Sequence, residues 1–165
     1  MSSSCQVITL VAYGSSRSAF FSDDHLCCHL LLVGRLNNMR TILLNVEYDG
    51  TAYAGWQIQP NILTVQEVVE SALAQILGQA VRIHSSGRTD AGVHARSMMV
   101  HFQTESDIPL QAFREGANCF LPADVVIREA REMPEGFHAR YSAKGKWYRY
   151  TIYINDVRSP ISART

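Results

Sequence analysis

The chain has 165 residues, with 15 Lys and Arg against 15 Asp and Glu, so its formal net charge is zero. Its hydrophobic fraction of 47% is ordinary for a globular protein and excludes a disordered or collagen-like chain. The length predicts one domain, and no apolar run reaches the roughly 18 residues that a membrane-spanning helix needs, so we expect no membrane span. The cysteines are expected to be reduced or buried thiols of a cytoplasmic protein.

The first predicted elements are a strand and a helix. Residues 1–38 have no coherent pattern, so we expect a poorly ordered extension or a start-site artefact before the domain at 39–165. Residues 41–48 alternate apolar and polar side chains and end at Asp49-Gly50, which predicts a strand. Residues 65–77 carry an apolar stripe at helical spacing, and Thr64 with Glu67 predicts a capping box at its start.

The later elements complete a recognisable order. Val81 and Ile83 predict a short strand, residues 98–102 another, and Pro109 begins a helix over roughly 109–119. Strand character resumes at 125–132. The order β-α-β-β-α-β predicts an α+β, ferredoxin-like antiparallel sheet with helices on one face and the other face free. Residues 147–154 predict an extra strand with both faces partly buried.

Charge and cysteine spacing limit the chemistry. Residues 138–165 contain one acidic residue and six basic residues: Arg140, Lys144, Lys146, Arg149, Arg158 and Arg164. These basic side chains could contact phosphate or form a solvated surface. The four cysteines have neither Cys-x-x-Cys spacing nor a paired His motif, so no metal site is expected.

One loop concentrates reactive side chains between glycines: Gly87-Arg88-Thr89-Asp90-Ala91-Gly92-Val93-His94-Ala95. The glycines allow a tight turn and a close approach to a ligand. A carboxylate at Asp90 can act as nucleophile or general base, and Arg88 can contact phosphate, stack on a base or hold the carboxylate. From the residues alone, a structural Asp-Arg pair or an Asx turn is the favoured interpretation.

This loop resembles the active-site motif of the TruA family of tRNA pseudouridine synthases. Two further blocks in the same order resemble the family. One runs from Glu47-Tyr48-Asp49-Gly50 through Tyr53 and Gly55-Trp56-Gln57 to Val65-Gln66. The other is Phe137-His138-Ala139-Arg140-Tyr141-Ser142-Ala143 with Tyr148-Arg149-Tyr150 after it. The resemblance implies isomerisation of uridine to pseudouridine in the anticodon stem-loop of tRNA, at tRNA positions 38, 39 and 40. It also implies that no cofactor or metal is needed.

The resemblance assigns roles to individual residues. Asp90 is the implied catalytic residue, acting either by attack on the anomeric carbon or by removal of the ribose 2′ proton, and the sequence leaves both routes open. Arg88 would help to extrude the target uridine, and Tyr148 would stack on the uracil. Apart from the resemblance, the basic residues that flank the motifs predict RNA binding: Arg88, Arg96, Arg140, Lys144, Lys146 and Arg149. His94 and His138 are interpreted as structural or RNA-contacting groups, and His101 as part of a strand face. Trp56 is interpreted as a residue that packs or shapes the site.

Three alternatives accompany that interpretation. Family members are about twice as long as the matched region and form homodimers, so this chain resembles their amino-terminal half. A catalytically inactive RNA-binding fragment that lacks the second half of the active site is therefore the main alternative to an enzyme. A glycoside hydrolase would need a second carboxyl group about 5–9.5 Å from Asp90, and no second acid accompanies it in a motif. A phosphate-binding NTPase lacks its Gly-x-x-x-x-Gly-Lys-Ser/Thr string.

Overall fold

The computed structural model describes residues 6–13, 39–154 and 157. Two separate units are present: a four-stranded sheet with its helices, and a two-stranded pair formed by β1 (Gln6–Tyr13) and β6 (Trp147–Ile154). Within these described ranges, no helix is long and apolar enough to cross a membrane.

The larger unit contains the predicted antiparallel sheet. Its strands are β2 (Arg40–Tyr48), β3 (His84–Ser85), β4 (Ala95–Thr104) and β5 (Val125–Met133). Their order is β3-β4-β2-β5, and every neighbouring pair is antiparallel. The first strand therefore lies between the third and fourth strands of the β-α-β-β-α-β sequence, which is an α+β, ferredoxin-like arrangement.

Two helical segments cover one face of that sheet. Helix α1 (Val65–Leu77) buries Val65, Val69 and Leu73 against the alternate residues of β2, as the apolar stripe predicts. The second helix spans 110–118 and is π-helical over Ala112–Gly116, where Phe113 packs edge-on against Phe102 of β4. The predicted α+β fold is confirmed.

The start of α1 differs from the prediction. Thr64 makes no side-chain capping bond, and its buried hydroxyl has no hydrogen-bond partner among the described residues. The N–H groups of Val65 and Gln66 instead donate to the carbonyl oxygens of Gly55 and Trp56, at 3.2 and 3.0 Å. The predicted capping box is wrong because a neighbouring segment already satisfies the exposed N–H groups that a cap would serve.

The short third element also shifts along the chain. A strand was predicted around Val81 and Ile83, but β3 is His84–Ser85, paired in register with His101 and Val100 of β4. Ile83 is instead buried in the core just before the strand. The apolar character of Ile83 predicted a buried residue correctly, whereas backbone pairing with β4 determines which residues form the strand.

The smaller unit changes two expectations. Residues 6–13 form β1, a strand that the sequence analysis does not predict, while the rest of the expected extension over 1–38 lies outside the described residues. The β6 strand is confirmed, but its partly buried faces are not, since five of its apolar side chains are 45–72% exposed: Trp147, Tyr148, Tyr150, Ile152 and Ile154. A pair of strands alone provides no second layer to bury both faces.

Candidate active site

The loop that carries Arg88 and Asp90 joins β3 to β4 at one end of the sheet. Ser86 N–H donates to the Met99 carbonyl at 2.7 Å, which closes the hairpin beneath the loop. At the tip, Val93 N–H donates to the Asp90 carbonyl at 3.2 Å, and Gly92 has a φ of +77°. A positive φ at the third residue is the requirement of a type II turn, so the second glycine of the motif shapes the tip.

The side chains of Arg88 and Asp90 are both exposed on this loop. Among the residues that the structure describes, neither side chain has a hydrogen-bond or ion-pair partner. The structural Asp-Arg pair and the Asx turn, which the sequence left open, are therefore not observed. The carboxylate and the guanidinium are available to a ligand.

A second segment, residues 48–56, is hydrogen-bonded to the loop. Trp56 N–H donates to the Thr89 carbonyl at 3.0 Å, and Gly92 N–H donates to the Tyr53 carbonyl at 3.3 Å. The hydroxyl groups of Tyr48 and Thr89 are hydrogen-bonded at 2.8 Å. We call residues 48–56 the backing segment. Its contacts fix the backbone on both sides of Asp90 without engaging the carboxylate.

Gly50 and Gly55 allow the backbone of the backing segment to lie in direct contact with the backbone of the loop. Gly55 has a φ of +96°, and a Cβ there would lie 2.6 Å from the Thr89 carbonyl oxygen. A Cβ on Gly50 would overlap the Val93 carbonyl oxygen. Real Cβ atoms do not come within 3.0 Å of such atoms, so both positions require glycine for steric reasons.

Buried aromatic side chains anchor the backing segment to the core. Tyr48 and Trp56 are buried with ring centroids 5.9 Å apart, and the Tyr53 hydroxyl donates to Asp124 at 2.7 Å. Burial raises the pKa of Tyr48 and Tyr53, and for Tyr53 the nearby Asp124 carboxylate raises the pKa further. Both phenols therefore remain protonated and serve as neutral hydrogen-bonding groups. The expected packing role of Trp56 is confirmed.

His94 contacts the start of the backing segment. Its Nδ1 lies 3.2 Å from the Gly50 backbone nitrogen and 2.9 Å from Asp49 Oδ1. Hydrogen bonds from the Thr51 side chain and backbone lower the pKa of Asp49, and His94 lowers it further. Asp49 is therefore an ionised carboxylate that stabilises the turn at 49–51. His94, at the end of the loop that follows Asp90, contacts this turn. Its structural interpretation agrees with these contacts.

The remaining predicted site residues lie in two places. Arg140 is exposed in a turn of the larger unit. Lys146 immediately precedes β6, and Tyr148 and Arg149 lie within it, so these three belong to the smaller unit together with Lys144. Tyr148 is half exposed and pairs in register with Ala12 of β1. The structure thus places Arg88 and Asp90 together on one loop of the larger unit. Tyr148 and Arg149 belong to the smaller unit, which is described by itself.

Sequence reasoning missed the groups that position the loop. Tyr48, Tyr53 and Gly55 were recognised as part of a motif block but received no role. Their partners are Thr89, 41 residues from Tyr48, and Asp124, 71 residues from Tyr53. The available signal was the alternation of glycines with aromatic residues over 48–56, a pattern that indicates close backbone packing. Within the described part of the chain, no cluster of three or more acidic, Cys or His side chains could hold a metal ion.

Comparison with known proteins places these features in a family. Residues 44–142 match the model of a family described as tRNA pseudouridine synthase, and this range contains the loop and its backing segment. The chain is 60% identical over 127 residues to tRNA pseudouridine synthase A of Geobacter sp. (strain M21), covering 77% of this chain and 51% of that protein.

Two further relatives carry the same name. Identity is 59% over 127 residues with the protein of Citrifermentans bemidjiense, covering 77% of this chain and 51% of that protein. For the protein of Ruminiclostridium cellulolyticum it is 56% over 123 residues, covering 74% of this chain and 50% of that protein. The chain thus spans about half the length of the curated relatives that it matches. The matched range and the identity to these relatives show that the chain belongs to the tRNA pseudouridine synthase family.

Proposed function

We propose that this chain supplies the catalytic loop of an enzyme that isomerises uridine to pseudouridine in tRNA. The observation that carries the proposal is an exposed, unpaired carboxylate, Asp90, on a loop whose backbone is fixed by the buried backing segment. The name of the relatives supports tRNA as the substrate.

The reaction breaks the bond between uracil N1 and the ribose C1′, rotates the base, and joins C5 to C1′. The C5 proton is lost, and N1 ends with a proton, so the product is an isomer. Asp90 can begin it by bonding to C1′ or by taking the 2′ proton to give a glycal, and both routes need an ionised, accessible carboxylate. The fixed loop supplies orientation, because a misplaced catalytic group loses much of its effect.

The other residues in the proposal recognise RNA. Arg88, two residues before Asp90 on the same loop, is suited to extrude the uridine or to fill the space that it leaves, since a guanidinium stacks on bases and binds phosphate. Tyr148 is assigned to the uracil ring. Four further cations are assigned to the RNA backbone: Arg140, Lys144, Lys146 and Arg149. The anticodon stem-loop as target, a homodimer and a cytoplasmic location belong to the same proposal.

Pseudouridine formation in an unmodified tRNA tests the proposal. The proteins compared are this chain and a version extended through the downstream reading frame, each with Asp90 intact or as Asp90→Asn. Glu105→Gln is the matched control, because Glu105 is an exposed acid just beyond the far end of β4. We expect Asp90→Asn to abolish conversion and Glu105→Gln to preserve it.

The outcomes separate the two candidate functions. Conversion that survives Asp90→Asn would overturn the assigned mechanism. Binding of tRNA without conversion, in both the short and extended proteins, would support the alternative of an RNA-binding protein without turnover. Light scattering of the same samples measures whether either forms a homodimer.

A further inference from the structure

Four aromatic side chains stack on the face of the sheet that the helices leave uncovered. We call His84, His101, His138 and Tyr141 the His–Tyr cluster. Ring centroids are 5.3 Å apart for His84 and His101, 4.5 Å for His101 and His138, and 4.3 Å for His138 and Tyr141. The cluster is therefore a continuous series of ring contacts rather than a set of isolated surface residues.

The strand pattern places the cluster on the open face. In β4, Val100 and Phe102 point into the core with the helices, so His101 between them points to the opposite face. His84 is the register partner of His101 across the β3–β4 pair and shares that face. The turn that contains His138 is held over His101 because Ala139 N–H donates to His101 Nδ1 at 3.2 Å.

Hydrogen bonds fix the rings of the cluster. His138 Nδ1 accepts the Arg140 N–H at 3.2 Å, and the His138 carbonyl accepts the Ser142 N–H at 2.8 Å. His101 Nδ1 lies 3.2 Å from the backbone nitrogen of Ala139 and 3.2 Å from the His84 carbonyl oxygen, so it bridges the turn to β3. The rings are consequently pre-oriented, and binding a flat ligand would require little reordering of side chains.

Within the cluster, exposure increases from His101 to Tyr141, and His84 is exposed as well. His101 is buried, His138 is half-buried, and the Tyr141 side chain is 79% exposed while its ring contacts His138. An exposed tyrosine on a fixed histidine presents a flat aromatic face to solvent. Such faces stack on unpaired bases in proteins that bind single-stranded RNA.

Cations accompany the aromatic rings. A cavity of about 690 Å³ lies beside the cluster, and its lining includes His84, His101 and His138 together with Arg82. The Arg82 side chain is 60% exposed although it pairs with Glu70 at 3.5 Å, and Arg140 is exposed in the turn beside Tyr141. Guanidinium groups next to stacking rings fit a ligand that is both planar and anionic, which favours a nucleotide over an apolar peptide.

The cluster and Asp90 belong to the same hairpin. His84 is six residues before Asp90 in the chain, and six extended residues span at most about 20 Å. The β3–β4 pairing and the hydrogen bond from Ser86 hold these positions in one rigid connection. An RNA that presents a uridine to Asp90 would therefore carry neighbouring nucleotides to the cluster.

We propose that the His–Tyr cluster is a stacking site for an unpaired base of the RNA substrate, close to the uridine that reacts. Tyr141 provides the outer stacking face, His138 supports it, and Arg82 and Arg140 lie near the adjoining phosphates. This site rests on the proposed function, since it requires RNA as the ligand. It would add affinity and fix the position of the RNA strand without taking part in the chemistry.

Binding of a short RNA hairpin with the anticodon stem-loop sequence tests the site. The hairpin carries the fluorescent base 2-aminopurine at one loop position at a time, and stacking on an aromatic ring quenches it. We expect Tyr141→Ala in the full chain to weaken binding about tenfold and to remove the quenching at one loop position. Tyr141→Phe keeps the ring and should preserve both signals. His138→Ala should resemble Tyr141→Ala.

Further comparisons show whether the loss of binding and quenching is specific to Tyr141. Tyr150→Ala, which removes another exposed tyrosine from the smaller unit, should leave the Tyr141-dependent quenching in place. Unchanged affinity and unchanged quenching in Tyr141→Ala, with the parent chain binding the hairpin, would overturn the stacking site and leave the proposed function standing. Failure of the parent chain to bind the hairpin at all would overturn both. Asp90→Asn should bind with full quenching, because it removes chemistry and keeps the site.

Discussion

Replacement of Gly55 by alanine is expected to displace the loop that carries Asp90. Gly55 adopts a φ of +96°, and the new Cβ would lie 2.6 Å from the Thr89 carbonyl oxygen and 3.1 Å from the Asp90 carbonyl carbon. Contacts of real Cβ atoms begin near 3.0 Å and are ordinary from 3.4 Å, so the loop must retreat by about 0.4–0.8 Å. Both contacts are to backbone, which has no flexible end that could move aside.

The cost has two parts. Holding a non-glycine residue at this φ costs about 1–3 kcal/mol. Loosening the hydrogen bond from Trp56 N–H to the Thr89 carbonyl, 3.0 Å long, costs about 1 kcal/mol more. We therefore expect Gly55→Ala to lower the free energy of unfolding by about 2–4 kcal/mol. Since a displacement of about 1 Å can cost a hundredfold in rate, the conversion of uridine should fall at least about tenfold.

Urea unfolding and the rate of pseudouridine formation measure these two effects. Gly136→Ala is the matched control, because Gly136 has a φ of +80° but nothing within 4 Å of the added Cβ. It should lose only the strain component, about 1–3 kcal/mol, and keep its rate. Equal losses of stability in the two variants, with the rate of Gly55→Ala unchanged, would refute the argument that the backing segment positions the loop.

Three further predictions concern single interactions. Tyr48→Phe and Thr89→Val each break the same hydroxyl pair and should each lower the free energy of unfolding by about 1–2 kcal/mol, with the double variant clearly less than additive in urea unfolding. The pKa of His101 is lowered from 6.5 by burial and then by His138 and His84, so the unfolded chain binds more protons below about pH 6.5. The free energy of unfolding should therefore decrease as the pH falls through that region, and His101→Gln should flatten the dependence; an unchanged slope would contradict this assignment. Binding of tRNA should weaken as salt rises, and Arg140→Gln should reduce the slope of log K against log salt by about one, whereas a slope equal to that of the parent chain would remove Arg140 from the phosphate contacts.

Elements with a strong local period were predicted well, and elements decided by distant partners were not. The stripe over 65–77 determines α1 because its own side chains define the buried face. The cap failed because Gly55 and Trp56, not Thr64, satisfy the first N–H groups of the helix. β3 shifted because pairing with His101 and Val100 outweighed the apolar character of the residues before it. Neither the hydrogen bonds at the start of α1 nor the pairing of β3 with β4 can be seen in a local sequence pattern, because each joins residues from different segments of the chain.

The candidate site divides in the same way. Asp90 and Arg88 were selected as candidates because the motif that contains them is short and continuous, and their roles stay a prediction. The hydroxyl pair of Tyr48 and Thr89 and the bond from Tyr53 to Asp124 join residues far apart in the sequence, so single-sequence reasoning could not connect them. The His–Tyr cluster has the same origin, since β3, β4 and the turn after β5 each contribute to it.

The contrast between the loop's backbone and its side chains has a chemical consequence. Thr89 and Gly92 have their backbone groups bonded to the backing segment, whereas the Asp90 carboxylate has no partner among the described residues. A carboxylate that already held an arginine or several N–H groups would have to give up those bonds before reacting at a ribose carbon or taking its proton. Here the hydrogen bonds that hold the loop lie on its backbone, and the carboxylate oxygens take part in none of them. This is the arrangement that the proposed chemistry requires, because a carboxylate that acts on a bound nucleotide needs a fixed position and oxygens free of other bonds.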